Sequence, residues 1–267
     1  MLCYHRPVRR LLCAALVALT AASARAADDP LTKARQLYNQ RRFADAIVAA
    51  DQLHATAKRD GADLVAARAY LEQFRESAVA EDLANARERL RRLDPQRLTQ
   101  RERIEYVVGL GETLYFEQSF GASAAVFDSV LQTTDLLEFD GRDRILDWWA
   151  DAVDREGRPR PEIERRAVYQ RIRSRMEDEI ATHPTSTAAA YWLAAAARSQ
   201  GDLEAAWDAA EAAWVRAPLT PDRGAMIRGD IDRLVLRAII PERAKITAQP
   251  PEKLRDDWEK YKERWSR

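Results

Sequence analysis

The stretch that most constrains the fold is GDLEAAWDAAEAAWVRAP, residues 201–218, which reads as a helix with a mostly alanine apolar face. A Gly-Asp turn precedes this helix and a proline follows it. Alanine buries little area, so such a face is stable only when another helix backbone packs very close to it. We expect Trp207 and Trp214 to fill the gaps to neighbouring helices. The expected contact points for a partner helix near Ala194 are Ala206, Ala210 and Ala213.

The same order of large and small residues recurs along the chain. Apolar residues recur at steps of three and four, glycines number only 9, and no stretch alternates like a β-strand. The sequence therefore predicts an all-α protein. Each copy consists of a helix, a short polar turn and a second helix. The copies span residues 31–53, 67–95, 106–131 and 189–218, and a longer, degenerate copy spans 139–185.

This recurring hairpin resembles the tetratricopeptide repeat (TPR). Its equivalent small or core positions are spaced by 37, 40 and then 83 residues, and the last interval leaves room for the degenerate copy. These positions are Ala34, Leu71, Gly111 and Ala194. The resemblance implies a right-handed α-solenoid of about five hairpins over residues 27–218, followed by C-terminal helices over residues 219–267.

The resemblance also implies a binding surface. Tetratricopeptide stacks bind extended peptides or helices along a concave face that the first helix of each hairpin lines. The candidate groove residues here are Tyr38, Arg68, Glu72, Arg75, Glu112, Tyr115, Tyr191 and Arg198. The lysine and asparagine set with which chaperone-tail receptors of this family clamp a terminal carboxylate is absent at these positions, so a chaperone tail is not the expected ligand.

Two helices are predicted after the repeats. Thr220 and Pro221 indicate a helix start, and the periodicity carries this helix to about Ile240. Two prolines precede a last helix with one apolar stripe, which we expect to cap the stack. If the helix instead leaves the body, the stripe becomes a surface for a partner or for self-assembly. The stripe comprises Leu254, Trp258, Tyr261 and Trp265.

The first 26 residues have the layout of a secretory signal peptide. A start with three arginines precedes an apolar stretch over residues 11–24, and Ala24 and Ala26 form the small-residue pattern of a cleavage site. The apolar stretch is short for a membrane span, which needs about 20 residues. We therefore expect cleavage after Ala26 and a periplasmic or secreted protein without a transmembrane segment.

Cysteine content and charge exclude several classes of function. Cys3 and Cys13 both lie in the predicted signal peptide, so disulfides and thiolate chemistry are not expected in the processed chain. Residues 1–26 hold four arginines and no acid, which leaves 39 basic and 43 acidic residues, a net charge of −4. A mildly acidic chain with interspersed charges is expected to bind neither nucleic acid nor a membrane surface.

Few residues point to catalysis. After the signal peptide the histidines are His54 and His183, in different hairpins, and the sequence has no zinc spacing, phosphate-binding glycine loop or serine elbow. We expect no metal, no cofactor and no enzymatic activity. The eight arginines from Arg155 to Arg175 alternate with glutamates and are interpreted as a solvated face with local ion pairs, the alternative being an acidic or anionic-lipid partner.

The most site-like stretch is DWWAD, residues 147–151, because carboxylates beside aromatic rings are typical of sugar-binding clefts. Successive helical residues point about 100° apart, so at most one of Trp148 and Trp149 faces a groove. Packing between repeats is the preferred interpretation of the other ring. A glycan site would rest on the carboxylates Asp147 and Asp151.

These patterns favour a non-catalytic TPR-like scaffold or adaptor in the bacterial cell envelope, which binds a protein or peptide along its concave face. One alternative is an envelope polysaccharide-binding protein or glycan-active enzyme that uses residues 147–151. A second alternative is a structural protein that self-assembles through the terminal aromatic helix.

Overall fold

A computed structural model describes residues 29–133, 139–220 and 222–266, apart from the side chains of residues 139 and 140. The regular elements in these ranges are all helices, which confirms the predicted all-α class. The predicted signal peptide, residues 1–26, lies outside the described residues. The chain divides into two compact units, of which unit one ends at Phe116 and unit two begins at Glu117.

In unit one each helix packs against the next, and α3 also contacts both α1 and α5. Asp29 begins the first helix, since its side chain accepts a hydrogen bond from the backbone N–H of Leu31. The helices are α1 (Pro30–Asn39), α2 (Phe43–Asp51), α3 (Arg59–Ser77), α4 (Ala80–Arg92) and α5 (Gln100–Phe116).

Small residues allow the helices of unit one to approach closely. Ala34 on α1, Ala46 on α2 and Ala66 on α3 have no exposed surface. Larger side chains such as Leu37 and Phe43 pack around these alanines in the same core cluster. The predicted alternation of small contact residues and larger space-filling residues is therefore present in the first hairpin.

In unit two, α9 packs against α7, α8, α10 and α11. Ser186 and Asp202 begin α9 and α10, because each side chain accepts a hydrogen bond from a backbone N–H three residues on. The helices are α6 (Phe120–Leu131), α7 (Phe139–Gly157), α8 (Glu162–Thr182), α9 (Thr187–Ser199), α10 (Leu203–Arg216), α11 (Ala225–Leu234), α12 (Ile240–Thr247) and α13 (Pro251–Trp265).

The alanine face of α10 packs as predicted. Ala206 and Ala210 are fully buried in one cluster with Ala194 of α9. Trp207 and Trp214 belong to the same cluster, and both rings contact Trp258 of α13. The two tryptophans therefore fill the space between this hairpin and the last helix.

The helix predicted to run from Thr220 to Ile240 begins and ends at other residues in the structure. It begins at Ala225, because Gly224 adopts a left-handed conformation (φ 85°) that breaks the helical path. It continues past Ile240 through α12, although Pro241 has no N–H to donate. A π-helical turn over Val235–Ile239 precedes this proline, and its wider hydrogen-bond spacing accommodates the missing N–H donor.

One apolar residue of the degenerate hairpin lies outside the core. Ile163, in the first turn of α8, is 82% exposed, whereas Ile172 and Met176 on the same helix are fully buried. The apolar periodicity of this helix therefore extends one turn beyond the part that packs.

Candidate functional site

A groove of about 630 Å³ lies in unit two between α7, α9 and α11. α9 contacts both α7 and α11. Carboxylates, hydroxyls, one arginine and a few apolar groups form the walls. The lining residues are Asp143, Arg144, Asp147, Thr185, Thr187, Ala188, Tyr191, Thr220, Asp222, Met226, Ile227 and Asp230.

Asp143 of α7 holds the beginning of α9. Its carboxylate accepts hydrogen bonds from the backbone N–H groups of Thr187 at 3.0 Å and Ala188 at 3.2 Å, and also from the hydroxyls of Ser186 and Thr187. A carboxylate has about four acceptor sites, so these four donors fully occupy Asp143. A negative charge at a helix N-terminus is also stabilised by the helix dipole, so Asp143 fixes one wall of the groove.

Asp222 plays the corresponding part for α11. It accepts hydrogen bonds at 2.9 Å from the backbone N–H groups of both Gly224 and Met226, and one at 2.6 Å from the Thr220 hydroxyl. The Thr220 hydroxyl and these N–H groups lower the pKa of Asp222 below its ordinary value. This carboxylate therefore stays ionised and structural.

Asp147 is the least compensated carboxylate of the groove. Its hydrogen-bond donor is the indole Nε1–H of Trp192, at 2.8 Å, and no cation pairs with it among the described residues. Desolvation raises the pKa of Asp147, and the neighbouring carboxylates Asp151, Asp143 and Asp230 raise it further. The side chain is nevertheless accessible from the groove. A bound cation would relieve this concentration of negative charge.

Tyr191 supplies an aromatic ring beside Asp147. The ring packs edge-on against Trp192, with centroids 5.6 Å apart. Desolvation raises the pKa of the Tyr191 hydroxyl, as do the charges of Asp230 and Asp147. The hydroxyl therefore remains a neutral hydrogen-bonding group at any physiological pH.

The other predicted groove residue of unit two lies elsewhere. Arg198, two turns along α9 from Tyr191, forms a double hydrogen bond from its Nε and Nη2 to Glu242 of α12, with Nε–Oε2 at 3.0 Å. It is not among the residues that line the groove. Arg198 therefore joins two helices.

The predicted groove residues of unit one lie on α1, α3 and α5. Arg68 stacks on the ring of Tyr38, 4.5 Å from its centroid, and its Nη1 donates to Glu105 at 2.7 Å. This places residues of three successive first helices in one polar network. Glu105 was not among the residues predicted from the sequence. It is one of several acidic residues on α5, and no local pattern marks it as the partner of Arg68.

The remaining candidates of unit one make local contacts. Glu72 and Arg75, three residues apart on α3, form an ion pair with each other. Tyr115 packs edge-on against Phe116, which in turn packs against Phe74 of α3. The negative charge of Glu112 contributes to the raised pKa of Arg68.

In the DWWAD stretch one tryptophan is buried and the other is half-buried. Trp149 is 1% exposed, with the guanidinium groups of Arg171 and Arg175 at 5.3 and 5.6 Å from its ring centroid. Trp148 is half-buried and lies 6.3 Å from the ring of Phe127. Asp151 forms an ion pair with Arg155 at 2.8 Å. Trp149 therefore cannot serve as an exposed platform for a sugar ring beside Asp147 or Asp151.

The arginine run carries local ion pairs, as predicted for a solvated face. Most of its members bond a carboxylate one turn away or on a neighbouring helix. The paired arginines are Arg155, Arg158, Arg160, Arg166, Arg171, Arg173 and Arg175.

Both histidines make structural contacts. His183 ends α8, and its Nδ1 lies 2.9 Å from Glu179, the carboxylate that also receives both Nε and Nη2 of buried Arg142. His54 lies 3.3 Å from Arg92. Neither belongs to a group of three or more potential metal ligands in the described part of the chain.

The terminal aromatic stripe is largely covered. Trp258 is fully buried between Trp207 and Trp214, at centroid distances of 5.8 and 5.6 Å. Tyr261 stacks on Trp258 and donates its hydroxyl to the backbone of α10. Trp265, 47% exposed, is the residue of the stripe that remains most accessible to solvent.

The groove contains residues that sequence reasoning missed, namely Asp143, Arg144, Asp222 and Asp230. Asp222 stands before Gly224, and an aspartate two residues before glycine signals a turn, so this cap was detectable. Asp143 reaches a helix that begins more than 40 residues later, and no local pattern reports such a contact.

Comparisons with protein families, with curated proteins and with solved structures found no match for this chain. No described helix combines the length and hydropathy needed to cross a membrane.

Proposed function

We propose that this protein is a non-catalytic TPR-like scaffold or adaptor of the bacterial cell envelope, whose hairpins stack as in a right-handed α-solenoid. The alternation of buried small residues and larger packing residues in both units supports this architecture. The periplasmic or secreted location rests on the layout of residues 1–26.

The single observation that carries the binding function is the groove between α7, α9 and α11. Tetratricopeptide-like stacks bind partners along the first helix of each hairpin, the expected place of Tyr191, and here the groove holds Asp147, which has a neutral donor and no cation, beside the Tyr191 ring. Met226 at the groove wall is 75% exposed and offers an adaptable apolar contact. The groove therefore suits a partner segment with a lysine or arginine next to an apolar residue.

The groove carboxylates support a binding role over a catalytic one. Asp143 and Asp222 are saturated by helix N-termini and hydroxyls, so they position helices. Asp147 accepts from an indole that has no second proton to relay. The hydroxyls of Thr187 and Thr220, which donate to Asp143 and Asp222, belong to the same helix caps, and each of these carboxylates already accepts backbone N–H groups.

The test is a selection of displayed random peptides on the purified protein. We expect enriched peptides to carry a basic residue beside an apolar one, and Asp147→Asn and Tyr191→Ala each to weaken their binding about tenfold. Asp208→Asn is the matched control, because Asp208 is exposed on α10 outside the groove. Equal losses in the control, or no enrichment at all, contradict the proposal.

A further inference from the structure

Unit two contains a second concave site, about 390 Å³ in volume, between α10, α12 and α13. It lies apart from the groove between α7, α9 and α11, and cations outnumber carboxylates in its lining. A binding role for this second site does not depend on the proposed function. The lining residues are Trp207, Glu211, Arg243, Gln249, Lys253, Leu254, Asp257, Lys260, Tyr261 and Arg264. We call it the basic recess.

Four cations converge on the basic recess without an ion-pair partner in the described part of the chain. This contrasts with the arginines of α8, most of which are neutralised by carboxylates on α8 itself or by Asp128 of α6. Only two carboxylates, Glu211 and Asp257, line the recess. The four cations are Arg243, Lys253, Lys260 and Arg264.

Two of these cations are held on aromatic rings. The guanidinium of Arg243 lies 4.8 Å from the ring centroid of Trp207, and that of Arg264 lies 5.5 Å from the ring centroid of Tyr261. The rings are themselves fixed, since Trp207 Nε1 donates to the Glu211 carboxylate at 2.9 Å and the Tyr261 hydroxyl donates to the Glu211 carbonyl at 3.2 Å. A stacked guanidinium keeps its in-plane N–H groups free for carboxylate oxygens.

The spacing of the cations indicates the shape of the ligand. Lys253, Lys260 and Arg264 follow each other on α13 at steps of seven and four residues, which puts them on one helical stripe. At about 1.5 Å per residue the stripe is roughly 16 Å long. A compact anion spans only part of this length, whereas an extended chain covers it with about five residues.

We propose that the basic recess binds an acidic peptide segment of a partner protein, with several aspartate or glutamate side chains along the α13 stripe. An anionic membrane is a poorer fit, because Leu254 and Trp258, the centre of the apolar face of α13, are buried in the core and Trp265 alone of the stripe is more than a third exposed. The ligand is thus a string of carboxylates, bound by two stacked guanidinium groups and two ammonium groups.

The test is fluorescence anisotropy of a labelled poly-glutamate peptide of about eight residues, enough to span the stripe, titrated with the purified protein. The variant is Lys253→Glu with Lys260→Glu. Its matched control is Lys245→Glu with Arg255→Glu, an identical charge change at exposed cations that do not line the recess. Circular dichroism melts confirm that both variants fold.

We expect salt-sensitive binding of poly-glutamate that the recess variant weakens at least about tenfold and the control variant less than about twofold. Arg243→Lys, which keeps the charge and loses the planar stack, is expected to weaken binding by a smaller factor. Equal losses in recess and control variants overturn the proposal. So does full competition by inorganic phosphate at equal charge, or binding to phosphatidylserine vesicles in place of the peptide.

Discussion

The indole nitrogen of Trp192 donates a hydrogen bond to the carboxylate of Asp147 across 2.8 Å, and this bond ties α9 to α7. The donor is neutral, and Asp151, Asp143 and Asp230 add further negative charge nearby. Asp147 therefore sits in the fold with its charge only partly compensated, a common condition for a side chain that serves binding more than stability.

Asp147→Asn is expected to leave the protein at least as stable as the wild type at pH 7, with a gain below about 1 kcal/mol. The raised pKa of Asp147 favours the folded state only below the pKa of the unfolded chain, and this contribution is lost as pH rises through the folded pKa. Urea unfolding at neutral and at acidic pH measures the difference, which should shrink on acidification. A clear loss of stability at pH 7 contradicts this reading of Asp147.

Trp258→Ala is expected to destabilise unit two by about 3 to 5 kcal/mol, because the indole is fully buried between two other tryptophans. Its Nε1–H also donates to Asp232, which loses that donor. Trp265→Ala, at a 47% exposed ring on the same helix, is the control and should cost less than about 1 kcal/mol. Similar midpoints for both variants in urea unfolding argue against the packing role of α13.

The stability of unit one at acidic pH is expected to depend on the buried carboxylate of Asp63. It is 1% exposed in its side chain and pairs with Arg89 and Arg92. Burial alone would raise its pKa, but hydrogen bonds from Arg92 and Arg89 lower it below the ordinary value.

The resulting stability is present above the unfolded pKa and is lost as pH falls below about 4 towards the folded pKa. We expect Asp63→Asn to cost about 3 kcal/mol at pH 7, since it removes the buried anion that Arg89 and Arg92 share and leaves Arg89 with Asp51 alone. The acid limb of the stability curve should also flatten. Glu81→Gln, at an exposed residue of α4, should change neither. The measurement is urea unfolding as a function of pH.

Two glycines of unit two are expected to respond to alanine in opposite directions. At Gly224, φ is 85° and a Cβ atom would lie 2.5 Å from the Cβ of Ala217, so Gly224→Ala should cost more than about 1 kcal/mol. At Gly229, inside α11, a Cβ meets nothing within 4 Å, so Gly229→Ala should stabilise by about 0.5 to 1 kcal/mol. Thermal melts of the two variants compare the signs directly.

Export tests the predicted signal peptide. Expressed from Met1 in a bacterium with a periplasm, the protein should appear in the periplasmic fraction with Ala27 as its first residue. Ala24→Leu with Ala26→Leu removes the small residues of the cleavage site and should leave the chain unprocessed. Intact-mass spectrometry of the fractionated cells measures both, and a cytoplasmic protein that retains residues 1–26 contradicts the predicted location.

Helical periodicity and small-residue spacing were sufficient for the all-α class and for the packing of α9 on α10. The resemblance to the tetratricopeptide repeat implied Tyr191 as a groove residue, and Tyr191 lines the groove between α7, α9 and α11. The same resemblance implied Arg198, yet Arg198 pairs with Glu242 of α12. The identity of a long side chain does not decide between a ligand and a neighbouring helix, because both lie within its reach.

The sequence by itself determined the local order of this protein: where helices form, which faces carry alanine, and which turns separate the hairpins. These follow from interactions within a few residues along the chain, so a linear pattern records them. Only the tertiary structure decided how charge is distributed between sites. Asp143 became a cap for α9, Asp147 received a neutral donor in place of a cation, and Arg243 of α12 joined the basic stripe of α13 in one recess. Each outcome depends on groups that lie on different helices and meet in space.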